Sequence, residues 1–170
     1  MISAKTADMN ALWMFLVGPA SSGKTTILNA FGSCRTQTIH RSSLTKTALI
    51  SGKISEEGSD PSILPKLKNR SLIIKDLTML LTSNASAQEE VFGTLRDAYD
   101  QDLVVSYGNG AIRDYKDLNF SWLAGVTDII HGFGKADVGE RFLKIDIVDP
   151  DLDEFAMIEG AIKNQSTKRS

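Results

Sequence analysis

Residues 15–26 read FLVGPASSGKTT, an apolar run closing on Gly18 with Gly23, Lys24 and Thr25 following at the spacing G-x-x-x-x-G-K-[ST]. A loop of this pattern turns backbone N–H groups inward onto phosphate oxygens. It then launches a helix whose positive N-terminal end faces the same anion. Gly18, Pro19, Ala20, Ser21, Ser22, Gly23, Lys24, Thr25 and Thr26 are therefore candidates to hold a nucleoside triphosphate. Lys24 would neutralise the β- and γ-phosphates, and Thr25 would hold a Mg²⁺ ion.

A second acidic position follows. The run SLIIKD ends in Asp76, and a carboxylate at a strand end beside the phosphate loop can hold Mg²⁺ directly or through water. Many hydrolysing enzymes of this kind carry a glutamate next, to polarise the attacking water. Leu77 stands there instead, and Thr78 cannot act as a base. Glu89, Glu90 and Asp60 are possible substitutes, with solvated helix-face carboxylates the plainer account of the Glu pair. Further on, FSWLAGVTDII ends near Thr127 and Asp128, where a polar side chain either orients water at the γ-phosphate or caps the next turn. Arg141, in DVGERFLKIDI, directly precedes the last apolar run.

These residues need a frame to bring them together. Short apolar runs at 12–17, 71–75, 119–126 and 141–148 suit strands buried on both faces. Helical patterns lie between them at 24–34 and 87–101, the second with Val91, Leu95, Ala98 and Tyr99 on one side. Alternation of this kind predicts an α/β three-layer sandwich with a mostly parallel sheet. The stretch around 38–70 is expected to hold a short strand near 38–40, a partial helix and a polar loop at SEEGSDPS. Residues 103–115, LVVSYGNGAIRDY, alternate around Gly108-Asn109-Gly110, which predicts a β-hairpin inserted before the third core strand. Residues 151–164 are expected to form one amphipathic helix carrying Leu152, Phe155, Ile158 and Ile162, followed by a polar tail.

A chain of 170 residues, 42% of them hydrophobic, fits one domain with a sizeable core. The formal net charge of −2 argues against a generally basic, nucleic-acid-coating protein. Cys34 is the sole cysteine, so no internal disulfide forms and a reducing, cytoplasmic setting is expected. Cys34 reads as a small apolar residue, and His40 and His131 are too isolated to suggest a metal site. The apolar run near the N-terminus is too short to span a bilayer, so no membrane role is expected.

Together these pieces resemble the core of the AAA+ ATPases. GPASSGKT is similar to Walker A, LIIKD to the Walker B strand, Thr127 to the sensor-1 position, and GERFLKIDIVDPD to the stretch around the arginine finger. The hairpin resembles the pre-sensor-1 hairpin of superfamily 3 helicases. The string from DPSILPKLKNRSLIIKDLT through FGTLRDAYD and LAGVT to GERF is similar to phage and plasmid-type replication ATPases. The resemblance covers residues 11–150, a P-loop core, leaving 151–170 as a reduced or truncated lid. It implies a sheet of strand order 5-1-4-3-2, ATP and Mg²⁺ as cofactors, and Lys24, Asp76, Thr127 and Arg141 as catalytic residues. Arg141 would act in trans, which implies a homo-oligomeric ring, a hexamer. Each hydrolysis step would move the hairpin along DNA, single-stranded in this scheme, with Tyr107, Asn109, Arg113 and Lys116 near the strand.

Three functions follow for comparison. A DNA-acting ATPase of helicase or replication-initiation type leads. A small-molecule kinase would draw on Arg35, Arg41 and Arg70, but the hairpin and GERF argue against it. A nucleotide-dependent switch with weak hydrolysis is favoured by the missing second acid at Leu77.

Overall fold

The computed structural model describes residues 11–31, 36–53, 59–133 and 141–147. Its centre is a five-stranded sheet of β1 (Trp13–Val17), β2 (Thr38–Arg41), β3 (Ser71–Ile74), β6 (Ser121–Val126) and β7 (Phe142–Asp146). The order is β2-β3-β6-β1-β7 and every neighbouring pair is parallel. Read from the β7 edge, with the hairpin strands left out of the numbering, this is the expected 5-1-4-3-2. The chain is an α/β protein with a small antiparallel addition: β4 (Leu103–Ser106) and β5 (Ile112–Tyr115) form a separate two-stranded sheet.

Parallel strands buried on both faces need apolar side chains of both parities, and the central strands supply them. All four residues of β3 and all six of β6 are buried. On one face Trp13, Phe15 and Val17 meet Trp122, Ala124 and Val126 in the main core, under α2 (Lys46–Leu49), α3 (Thr78–Leu81) and α4 (Ala85–Tyr99). Aromatic rings fill this layer. Phe15 stacks on Phe142 with centroids 4.2 Å apart, and Trp13 Nε1 donates to Phe120 O at 2.9 Å. On the other face Leu16, Ile73 and Leu123 pack with Leu28 of α1 (Lys24–Ala30).

Most differences from the expected elements lie at their ends, but β7, expected to be buried on both faces, is an edge strand with Leu143 and Ile145 exposed, because only β1 pairs with it. The second helix begins at Ala85, earlier than expected, because Asn84 accepts a hydrogen bond from Ala87 N and caps it. Val91, Leu95 and Ala98 are buried as the periodicity predicts, joined by Phe92 and Thr94. The partial helix of the 42–70 stretch is α2, capped by Thr45, with a 3₁₀ turn at Leu64–Leu67 beyond it. α3 has too few residues to show a period and was not expected. Cys34, Arg35 and the amphipathic stretch 151–164 lie outside the described residues. Among the described residues no helix is long and apolar enough to cross a membrane.

Candidate active site

In a parallel sheet every strand ends at the same edge, and the connections leaving that edge converge on one site. Here β1 runs into Gly18, β3 into Asp76 and β6 into Thr127. The three strands are neighbours in the order β3-β6-β1. Two cross-strand hydrogen bonds fasten this edge: Gly18 N donates to Val126 O at 3.2 Å, and Leu77 N to Gly125 O at 2.9 Å. Gly125 permits the second. A Cβ there would stand 2.6 Å from Lys75 O, so only glycine lets β6 approach the end of β3 this closely.

The loop between β1 and α1 has the backbone of an anion cradle. Ser21 and Gly23 both take left-handed conformations, with φ of 66° and 85°. Alternating handedness of this kind turns successive N–H groups to one side. The first intrahelical bonds of α1 are accepted by Gly23 O, from Thr26 N and Ile27 N. The N–H groups of Lys24 and Thr25 precede them and have no partner within the helix. The space into which a Cβ of Gly23 would project is open. The cradle therefore fits a phosphate chain.

Lys24 folds over the loop, its ammonium donating to Gly18 O at 2.6 Å, to Pro19 O and to Ser22 Oγ at 3.3 Å. Burial lowers its pKa, opposed by the negative charges of Asp76 and Asp128. One cation thus feels two carboxylates, Asp76 following β3 and Asp128 following β6. Asp76 is exposed and spends one oxygen, Oδ1, on Thr78 N at 2.8 Å, which leaves the other open to an ion. No three His, Cys, Asp or Glu side chains among the described residues form a metal cage. That donor set suits Mg²⁺, which takes one or two protein oxygens and completes its shell with phosphates and water. Thr25 and Asp76 are the residues that would hold it.

Thr127 occupies the N-cap position of a 3₁₀ turn, Asp128–Gly132, yet its side chain makes no capping hydrogen bond. Leu77, where a second acid was sought, is 1% exposed and belongs to the main core. Of the substitutes, Glu90 pairs with Lys46 at 3.3 Å. Asp60 is committed elsewhere, since its Oδ2 accepts from Tyr115 Oη at 2.6 Å.

Arg141 is not at this edge. It precedes β7, at the end of the sheet where strands begin, and five strand residues at about 3.3 Å each separate the two ends by roughly 16 Å. Its Nη2 donates to both carboxylate oxygens of Asp100, at 3.0 and 2.7 Å, and its guanidinium lies 5.4 Å from the Tyr99 ring centre. Arg141 therefore docks on the last residues of α4.

The hairpin forms as predicted, with Gly110 at φ 82° in its turn. Its polar residues, however, face the chain. Arg113 donates to Ser51 O at 3.2 Å and Lys53 O at 2.9 Å, and Asn109 Nδ2 to Gly52 O at 2.8 Å. The Tyr107 ring lies against Gly52, where a Cβ would be 2.5 Å from the ring. Three of the four residues expected near nucleic acid thus clasp the 51–53 segment, and Lys116 pairs with Asp114 at 2.9 Å. Asp60, Ser62 and Tyr115 extend the clasp beneath. Sequence spacing carried no sign of it, because the contacts join positions some sixty residues apart.

No protein-family model and no curated protein matches the chain. A solved structure titled "The A form apo structure of NrS-1 C terminal region-CTR" is similar at a TM-score of 0.43 and 13% identity, over 88% of this chain and 33% of that one. This chain thus spans about a third of that structure's length, and a likeness of this degree carries no functional assignment.

Proposed function

We propose that this chain is a P-loop ATPase of the AAA+ type that binds ATP with Mg²⁺ and acts on DNA as part of a homo-oligomeric ring. One observation carries the reading. Lys24, whose ammonium feels the charges of Asp76 and Asp128, belongs to the loop at the strand edge that also presents the open, left-handed backbone of Ser21 and Gly23. A cation, a phosphate-sized cradle and a free carboxylate oxygen are the parts that phosphoryl transfer requires of a protein, since positioning and charge supply nearly all its catalysis.

In this scheme the backbone N–H groups of the loop bind the phosphates, and Lys24 leaves its loop carbonyls to neutralise the γ-phosphate charge. Thr25 and Asp76 hold the Mg²⁺, which supplies further charge neutralisation when bound. Thr127, whose hydroxyl makes no capping bond, would orient water at the reacting end. Arg141 is too far from its own loop to take part there, so its action requires the loop of a neighbouring copy. The DNA-acting part rests on the resemblance of the hairpin and of GERF to replication ATPases. A nucleotide-dependent switch is the second reading, favoured by the burial of Leu77.

The test is ATP binding and turnover by the full chain over a concentration series, with and without single-stranded DNA, alongside Lys24→Ala. Turnover that rises with both protein and DNA, and is lost in Lys24→Ala, is the expected result. Binding without turnover favours the switch. Unchanged ATP affinity and turnover in Lys24→Ala removes the site.

A further inference from the structure

We propose that Asp128 is the carboxylate that orients and deprotonates the attacking water, the role left vacant by Leu77. The inference rests on the ATPase reading and deepens it by naming a residue for its chemical step. Asp128 opens the turn that directly follows β6, the strand that pairs with β1 in the register Val17↔Val126. Through Gly18 N and Val126 O this turn is fastened to the first residue of the phosphate loop. Its side chain is exposed at that edge. The two carboxylates divide the work: Asp76 approaches along β3, Asp128 along β6, and β6 lies between β3 and β1.

The turn is held firmly enough to place a reacting group. Ile130 is fully buried, and its backbone N–H donates to Thr127 O at 3.2 Å. Lys144 of β7 donates to Ile130 O at 3.3 Å. His131 stands three residues after Asp128, on the same side of a 3₁₀ turn, and its Nε2 lies 3.3 Å from Asp146 Oδ1 at the end of β7. The turn is thus tied to β6, to β7 and to the core. Three alternatives are occupied: position 77 is buried, Glu90 is paired across to α2, and Asp60 is locked to Tyr115, while Glu89 is exposed on α4 and is the rival the experiment tests.

In the step, the water oxygen forms a bond to the γ-phosphorus as the bond from that phosphorus to the β–γ bridging oxygen breaks. ADP leaves with the electron pair of the broken bond, inorganic phosphate is formed, and the water proton passes to an Asp128 carboxylate oxygen and then to solvent. General-base assistance of this kind contributes about 10²–10⁴-fold.

The experiment compares ATP affinity, by titration calorimetry with Mg²⁺, and kcat for wild type, Asp128→Asn, Asp128→Glu and Glu89→Gln. Asp128→Asn is expected to keep its ATP affinity within about threefold and to lose about 100-fold in kcat. Asp128→Glu should recover part of that loss. Thermal melts within a few degrees of wild type exclude misfolding as the cause. If wild type binds and hydrolyses ATP while Asp128→Asn turns over normally, or if Glu89→Gln is the inactive variant, the assignment to Asp128 is overturned and the ATPase reading stands. If wild type binds no ATP, both are overturned.

Discussion

Replacing Gly125 by alanine tests the geometry on which the site depends. The added Cβ would stand 2.6 Å from Lys75 O and 3.3 Å from Leu28 Cδ1, against about 3.4 Å for ordinary contact. The leucine methyl can yield. The carbonyl cannot turn away cheaply, because Lys75 N donates to Arg41 O at 3.1 Å and Leu77 N to Gly125 O at 2.9 Å. Relief of about 0.8 Å must therefore come from parting the ends of β3 and β6. Overpacking of a well-filled interior costs about 1–3 kcal/mol, and a backbone obstacle puts this site in the upper half, near 2–3 kcal/mol. For a domain of this size each kcal/mol lowers Tm by about 2–4 °C, so Gly125→Ala should melt roughly 4–12 °C below wild type. Urea unfolding should show a lower midpoint with an unchanged slope. Gly93→Ala is the internal control. That residue lies in α4 with nothing nearer than Arg96 Nη2 at 3.7 Å, so the same substitution should raise stability by about 0.5–1 kcal/mol. A Gly125→Ala melt at or above that of wild type would show that the two strand ends are not in close contact, and the placement of Asp76 beside Thr127 would go with it.

Two further predictions concern the other end of the molecule. At Asp60 burial acts to raise the pKa, but hydrogen bonds from Ser62 and Tyr115 and the charge of Arg113 outweigh it, so the carboxyl lies below its ordinary value of 3.8. A depressed folded pKa gives stability that is present above the unfolded pKa and lost as pH falls toward the folded one. The melting gap between wild type and Asp60→Asn should therefore be full at pH 7 and shrink below about pH 4; a gap that is constant with pH refutes the clasp. Arg141 and Asp100 form a largely exposed pair, which is worth about 0–1 kcal/mol, so Arg141→Ala and Asp100→Ala should each shift Tm only slightly. Turnover separates them: if Arg141 acts on a neighbour, Arg141→Ala is inactive while Asp100→Ala is not, and mixing Arg141→Ala with Asp76→Ala subunits restores activity. Equal effects of the two substitutions would confine Arg141 to its own chain.

The sheet and the loop were legible because their signals are local. An apolar run flanked by Gly18 or Asp76 specifies a buried strand wherever it occurs, and Gly108-Asn109-Gly110 specifies a tight turn from its own residues. The short elements α2 and α3 were less legible, since four residues cannot display a helical period. The orientation of polar side chains was not legible at all. Arg113 and Asn109 read as a basic, hydrogen-bonding hairpin face until the 51–53 carbonyls are in place to accept from them. Asp128 has the same history. Beside Thr127 it reads equally as a water-orienting or a capping residue, and the pairing of β6 with β1 is what sets its turn beside the phosphate loop.

The two ends of the sheet are joined by one rigid element. α4 begins beside α3, where Gln88 donates to Leu81 O and Ser83 O, just beyond Asp76 and Leu77. It ends at Tyr99 and Asp100, against Arg141. Its fifteen residues span about 22 Å, more than the roughly 16 Å between the two ends of the sheet. A buried stripe from Val91 to Ala98 packs its C-terminal half into the main core. The helix therefore touches the segment after Asp76 at one end and the residues that hold Arg141 at the other. On the proposed ring reading, this helix is the element of the chain that would join its own phosphate loop to the arginine offered to a neighbour.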